Sequence, residues 1–126
     1  MNRTFTPEVF LRNKIAKQRY AARVIRGITW NIDEDRLVQR ILASNQCQIS
    51  GRELAYESNY IETVSLDRID SGIGYLDSNV QWVGSSVNTA KGTLSTADFV
   101  EMCADIARHN GYTVYRPHTQ IELDLQ

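Results

Sequence analysis

The sequence predicts an α+β chain organised around a strand, a long loop, a second strand and a helix. Three observations carry that expectation. "ETVSL" (Glu62–Leu66) and "NVQWV" (Asn79–Val83) are short runs rich in β-branched, alternating residues, the mark of half-buried strands. The loop between them holds Gly72 and Gly74 and is too long for a tight hairpin; loops of that size held between strands tend to carry function. On either side of this unit, apolar residues recur at helical spacing.

The elements follow in order. Thr6-Pro7-Glu8 reads as a helix start: a hydroxyl cap, proline at the first helical position and an acid in the first turn. No strong breaker interrupts residues 8–26, and Gly27 should end the helix. Its apolar residues (Val9, Phe10, Ile15, Ala16, Tyr20, Val24) form a loose stripe. "ITWNI" (Ile28–Ile32) looks extended. A second helix is expected near Asp33, with Leu37, Val38, Ile41 and Leu42 at helical spacing. Ser50-Gly51 marks a turn. A short helix is expected over Ser86–Lys91. Ser95 then caps a helix to about Asn110, with Phe99, Val100, Met102, Cys103, Ile106 and Ala107 as its buried face and Gly111 as its stop. The tail, Tyr112–Gln126, has some strand character. The expected organisation is a basic helical arm over 1–43, a core with its closing helix over 44–110 and a tail over 111–126, all in one compact unit.

Composition narrows the function classes. The 126 residues carry ordinary apolar and charged fractions for a globular chain. No run approaches about 18 consecutive apolar residues, so no membrane partner is expected. No signal-peptide core is visible either, and a cytoplasmic location is expected, that of the host cell if the chain is phage-encoded. Cys47 and Cys103 stand far apart with no CxxC, so no structural zinc is expected and two reduced, partly buried thiols are. Nothing in the sequence sets an oligomeric state. Net charge is −1, but residues 1–26 hold seven basic side chains (Arg3, Arg12, Lys14, Lys17, Arg19, Arg23, Arg26) against Glu8. That arm is +6 and the remaining hundred residues sum to −7. The asymmetry fits a basic arm for nucleic-acid phosphates joined to an acidic core that attracts a metal; a solvated helix face reads equally from charge alone.

The chemistry-bearing residues lie between Ser65 and Lys91. At the end of the first strand, Asp67 offers a hard anionic oxygen suited to Mg²⁺ or Mn²⁺. Asn88, on the helix, can add a neutral carbonyl oxygen. Two protein ligands leave coordination positions for water and phosphate oxygens, as phosphodiester cleavage needs. Asn79 opens the second strand, where a side-chain amide can bind the loop backbone and hold the strand end. Lys91, one turn past Asn88, is within reach of a bound phosphate.

These motifs resemble the HNH endonucleases, particularly small phage-borne members of the ββα-metal nuclease superfamily. That family's pattern is Asp-His at the end of the first strand, Asn opening the second, then His or Asn nine residues later, followed by Lys. Here stand Asp67-Arg68, Asn79, Asn88 and Lys91. Upstream, "RGITWNI" and "CQISGREL" are similar to the family's lead-in, and "FVEMCADIA" (Phe99–Ala107) to its closing helix, so the likeness covers roughly residues 20–110. The resemblance implies an HNH-like ββα-metal core and an endonuclease acting on double-stranded DNA with one Mg²⁺ or Mn²⁺. Its metal would be held by Asp67 and Asn88, its catalytic set would be Asp67, Arg68, Asn79 and Asn88, and its DNA contacts would be Arg12, Lys14, Lys17, Arg19, Arg23, Arg26 and Lys91. The other class it leaves open is an inactive module of the same fold that binds DNA or protein.

Two positions depart from the family. Asn88 replaces the last His, a change some HNH homing endonucleases share. Arg68 replaces the His that activates the attacking water, and an Arg does not deprotonate in proteins. Arg68 therefore either clamps the scissile phosphate, binds DNA on an inactive scaffold, or pairs with Asp70 or another acid. Asp70 and Asp77 are expected to cap backbone N–H groups, Gly72 and Gly74 to adopt positive φ, Tyr75 to anchor the loop and Trp82 to sit in the core. His109 suits a helix end, and His118 carries little catalytic weight.

Overall fold

The structure, a computed structural model, describes residues 6–116, which fall into two compact units, one ending at Thr96 and the other beginning at Ala97. Arg3, His118 and the tail from residue 117 lie outside the described residues. The chain is mixed α+β, with four α-helices and two two-stranded sheets among the described residues. No described helix is long and apolar enough to cross a membrane.

Helix α1 (Pro7–Tyr20) starts where the sequence marks it: Thr6 Oγ1 accepts from the Val9 N–H at 3.2 Å, and Pro7 occupies the first turn, where no intrahelical N–H bond is lost. Leu11 and Ile15, four apart, form its buried stripe. A π-helical turn, Ala21–Ile25, extends it and buries Ala22; the chain then leaves at Gly27, whose φ of +63° suits a residue without a Cβ. Strand β1 (Trp30–Asn31) leads to α2 (Glu34–Ser44), capped by Asp33 Oδ1 accepting from the Arg36 N–H and closed by Asn45 in the left-handed region. Leu37, Val38 and Ile41 make its buried face.

Strand β2 (Val64–Arg68) pairs antiparallel with β4 (Val80–Gly84), Leu66 opposite Trp82 and Asp67 opposite Gln81. The first strand begins two residues later than "ETVSL" suggests, because Glu62 lies in a turn and an isolated parallel bridge to Ala55 takes up Thr63. Its Oγ1 donates to the Glu57 carbonyl and accepts from the Tyr60 N–H. Strand β3 (Tyr75–Leu76) pairs in parallel with β1, Trp30 opposite Tyr75. Gly74 allows that approach: a Cβ there would lie 2.8 Å from both Cβ and O of Thr29. Close packing, not positive φ, is thus the reason for this glycine, and Gly72 lacks positive φ as well.

Period-two alternation divides the β2–β4 pair into two faces. Val64 and Leu66 of β2 and Val80 and Trp82 of β4 enter a core completed by Leu11, Ile15, Trp30, Leu37, Val38 and Ile41. Trp82 also donates its indole N–H to the Leu37 carbonyl at 3.0 Å. Ser65, Asp67 and Gln81 lie on the opposite face and meet α3 (Ser85–Lys91), which starts directly from β4.

Helix α4 (Thr96–His109) has the expected span, with His109 in its last turn, but not the expected burial. Phe99 is buried, whereas Val100, Met102, Cys103 and Ile106 are exposed and Ala107 is half-buried. The second unit contains this one helix among its described residues, so no other helix within it covers that face. Cys103 is accordingly an exposed thiol, while Cys47 packs in the core.

Candidate functional site

The face of β2 turned toward α3 carries four polar side chains in one strip. Ser65 and Asp67 are two apart on the strand, and Asn88 and Lys91 are three apart on the helix, so both pairs project to the shared side. Asn88 Nδ2 donates to Ser65 Oγ at 2.7 Å. Lys91 Nζ lies 3.2 Å from Asp67 Oδ2 and 3.4 Å from Oδ1, and donates to the Arg68 carbonyl at 2.9 Å. Gln81, the cross-strand partner of Asp67, donates to Oδ2 at 3.0 Å and to Thr96 Oγ1 at 2.8 Å.

Burial makes this pair consequential. The Lys91 side chain is 0% exposed and that of Asp67 7%. Removing one partner of such a pair strands the other as an uncompensated charge away from water. Lys91, which the sequence sets within reach of a bound phosphate, stands here with no exposed surface. It balances Asp67.

Asn79 occupies a 3₁₀ turn, Asp77–Asn79, between β3 and β4 and is buried. Its Oδ1 accepts from the Asp70 N–H at 3.0 Å, while Nδ2 donates to the carbonyls of Asp70 (3.0 Å), Gly74 (2.9 Å) and Ile73 (3.3 Å). One amide thereby holds both ends of the 70–74 loop, and the backbone adds Ile69 N–H to the Asn79 carbonyl. Asp70 Oδ1 accepts from the Gly72 N–H at 2.8 Å, and Asp77 Oδ1 from the Asp33 N–H at 3.0 Å. Both acids bind backbone, as their turn-rich setting suggests.

Arg68 follows Asp67 onto the other face of β2. Its guanidinium lies 5.2 Å from the Tyr75 ring centroid and donates to the Ile73 carbonyl at 3.0 Å. It makes no ion pair with Asp70 among the described residues. Tyr75 is itself buried, 4.9 Å from Trp30 between ring centroids, and its hydroxyl accepts from Gln18 Nε2. This stacked, hydrogen-bonded seat fixes the direction of the Arg68 fork.

Seen on the folded chain, the basic arm is less uniform than its sequence. Arg12 pairs with Asp35 at 2.9 Å and Glu8 at 3.1 Å, and Arg19 with both oxygens of Glu34 at 2.5 and 2.7 Å. Arg23 donates to the Trp30 carbonyl at 3.3 Å, and Arg26 is exposed. Lys14 and Lys17 make no ion pair among the described residues; Lys14 Nζ sits 5.6 Å from the centroid of the Phe10 ring.

Asp67 and Asn88 supply hard oxygen donors of the kind Mg²⁺ and Mn²⁺ take. Their fit to a divalent ion is incomplete, because Asp67 already has Lys91 as its counter-charge and Gln81 on one oxygen. An ion there has to share the carboxylate with the ammonium or displace it. Among the described residues no group of three or more His, Cys, Asp and Glu converges on one point. Sequence reasoning missed Gln81 and Ser65; the alternation of β2 and its pairing register are the signals that would have found them. No protein-family model, no curated protein and no solved structure matches the chain. Fold and site define a small α+β protein with a buried acid–base pair on a strand–helix strip, beside a loop held by one asparagine.

Proposed function

We propose that the chain is a metal-dependent DNA endonuclease of the HNH type, its strand–loop–strand–helix unit serving as the ββα-metal core. The observation that carries this reading is the combination of Asp67 on β2 and Asn88 on α3 in one strip with Asn79 fixing the loop that follows β2. One Mg²⁺ or Mn²⁺ held by Asp67 and Asn88 would polarise the scissile phosphate. The chain's own residues do the rest. Asn79 holds the strand end that presents Asp67. Arg68, seated on Tyr75 across the strand from Asp67, turns its free N–H groups to a neighbouring backbone phosphate of the bound duplex; it takes no proton. Lys14, Lys17, Arg23 and Arg26 supply phosphate contacts on double-stranded DNA, and Arg12 and Arg19 join only by exchanging a carboxylate for a phosphate.

A second reading, an inactive DNA-binding module of the same fold, has one observation in its favour: the buried Lys91 already neutralises Asp67 without a metal. Supercoiled plasmid separates the two. The endonuclease nicks or linearises it in Mg²⁺ or Mn²⁺, and both EDTA and Asp67→Ala abolish the cut. Plasmid that is retarded on a gel but stays supercoiled, across a range of salt and sequence, excludes the enzyme and leaves the module.

A further inference from the structure

We infer that the cleft between α1 and residues 56–58 is a nucleotide site, taking a nucleotide's phosphate on Lys14 and Lys17 and its base against the rings of Phe10 and Tyr56. The cleft has a volume of about 600 Å³ and is also lined by Asn13, Glu57 and Ser58. That size falls within the roughly 300–1,000 Å³ of small-molecule sites. It lies on different elements from the Asp67–Asn88 strip, and its occupancy does not depend on whether that strip cuts DNA.

Three independent features point to an anionic, partly flat ligand. First, Lys14 and Lys17, one turn apart, bring two ammonium groups to the same wall, whereas Arg12 and Arg19 on the same helix are matched by carboxylates. The cost is visible on Lys14: burial, and then repulsion from Lys17, push its pKa below the usual lysine value. A bound phosphate screens the repulsion and supplies the counter-charge that burial makes valuable. Second, the Tyr56 hydroxyl has no hydrogen-bond partner and is shut off from solvent in the free chain, a costly state that a ligand acceptor repairs once the ring turns into the cleft it lines. Third, two aromatic side chains share the cleft with the cations, the pairing that receives a nucleobase beside its phosphate. Glu57 repels an anion from its own part of the lining, and Asn13 and Ser58 can hydrogen-bond a base edge.

The same chemistry is offered by a free mononucleotide and by one unit of a single strand. Calorimetric titration of the whole chain in EDTA, where no cutting occurs, distinguishes them with dTMP, a thymidine oligonucleotide and inorganic phosphate as probes. Both nucleotide probes are expected to bind, with amide shift changes in NMR centred on Phe10, Asn13, Lys14, Lys17 and 56–58. Equal affinity per site points to the free nucleotide, and tighter oligonucleotide binding to the strand. Lys14→Gln with Lys17→Gln should weaken binding by about tenfold or more, since two surface cations facing phosphate are lost. Tyr56→Phe should weaken it while the thermal unfolding midpoint holds. Binding of neither nucleotide, inorganic phosphate binding as tightly as dTMP, or a double-lysine variant binding like the wild type would each overturn the assignment. Lys14 and Lys17 are also duplex contacts in the function proposed above, so plasmid cleavage is scored separately, on the wild-type chain.

Discussion

Lys91→Met is expected to lower the unfolding free energy by about 3–5 kcal/mol, the usual loss when one partner of a buried ion pair is removed. The reason is not the strength of the pair itself. Asp67, 7% exposed, keeps the Gln81 amide but loses its only cationic neighbour among the described residues. The Arg68 carbonyl loses its donor as well. Replacing both partners, Asp67→Leu with Lys91→Met, should therefore recover much of the loss, because no charge is left stranded. Urea unfolding of the two single variants and the double variant closes the cycle. Additive losses would mean that the two side chains do not interact.

Asn79→Ala is the second large effect, expected to cost about 2–4 kcal/mol, given about 1–3 kcal/mol for each buried polar group left unmatched. Four hydrogen bonds end on this one side chain, and all of them fasten the 70–74 loop. Asn79→Asp should rescue little. A carboxylate can still accept from the Asp70 N–H, but it cannot donate to the carbonyls of Asp70, Ile73 and Gly74. Hydrogen exchange at the Asp70 amide reports the loop directly, and in both variants it should rise toward exposed rates. Plasmid cleavage should fall with it, because the same loop closes the end of the strand that bears Asp67. An Asn79→Ala protein with a protected loop and unchanged stability would contradict the brace.

Local chemistry was legible in the sequence. Thr6 caps its helix, the second helix starts beside Asp33, Gly27 ends the first helical stretch, and Asn79 binds loop backbone, because each of these roles is decided within about ten residues. What the sequence hid is set by partners far along the chain. Gly74 looked like a turn residue and is a packing residue, because Thr29 approaches it across the β1–β3 pairing. Lys91 had the spacing of a phosphate ligand, yet the register of β2 against α3 places Asp67 beneath it. Glu34 sits in the first turn of α2 and also receives Arg19 and the Trp30 indole N–H, from residues 15 and 4 positions earlier in the chain. Helix α4 is amphipathic by pattern, and periodicity shows which face is apolar without showing what, if anything, covers it.

The central claim is that Asp67 and Asn88 form a divalent-metal centre although Lys91 occupies the carboxylate in the free chain. Anomalous diffraction at the manganese edge, from crystals of the protein bound to a short DNA duplex and soaked in Mn²⁺, tests it most directly. One peak touching the Asp67 carboxylate and the Asn88 amide oxygen, with the Lys91 ammonium drawn off at least one Asp67 oxygen, is the expected result. No peak at that strip, with Lys91 still bridging both oxygens of Asp67, would contradict the account.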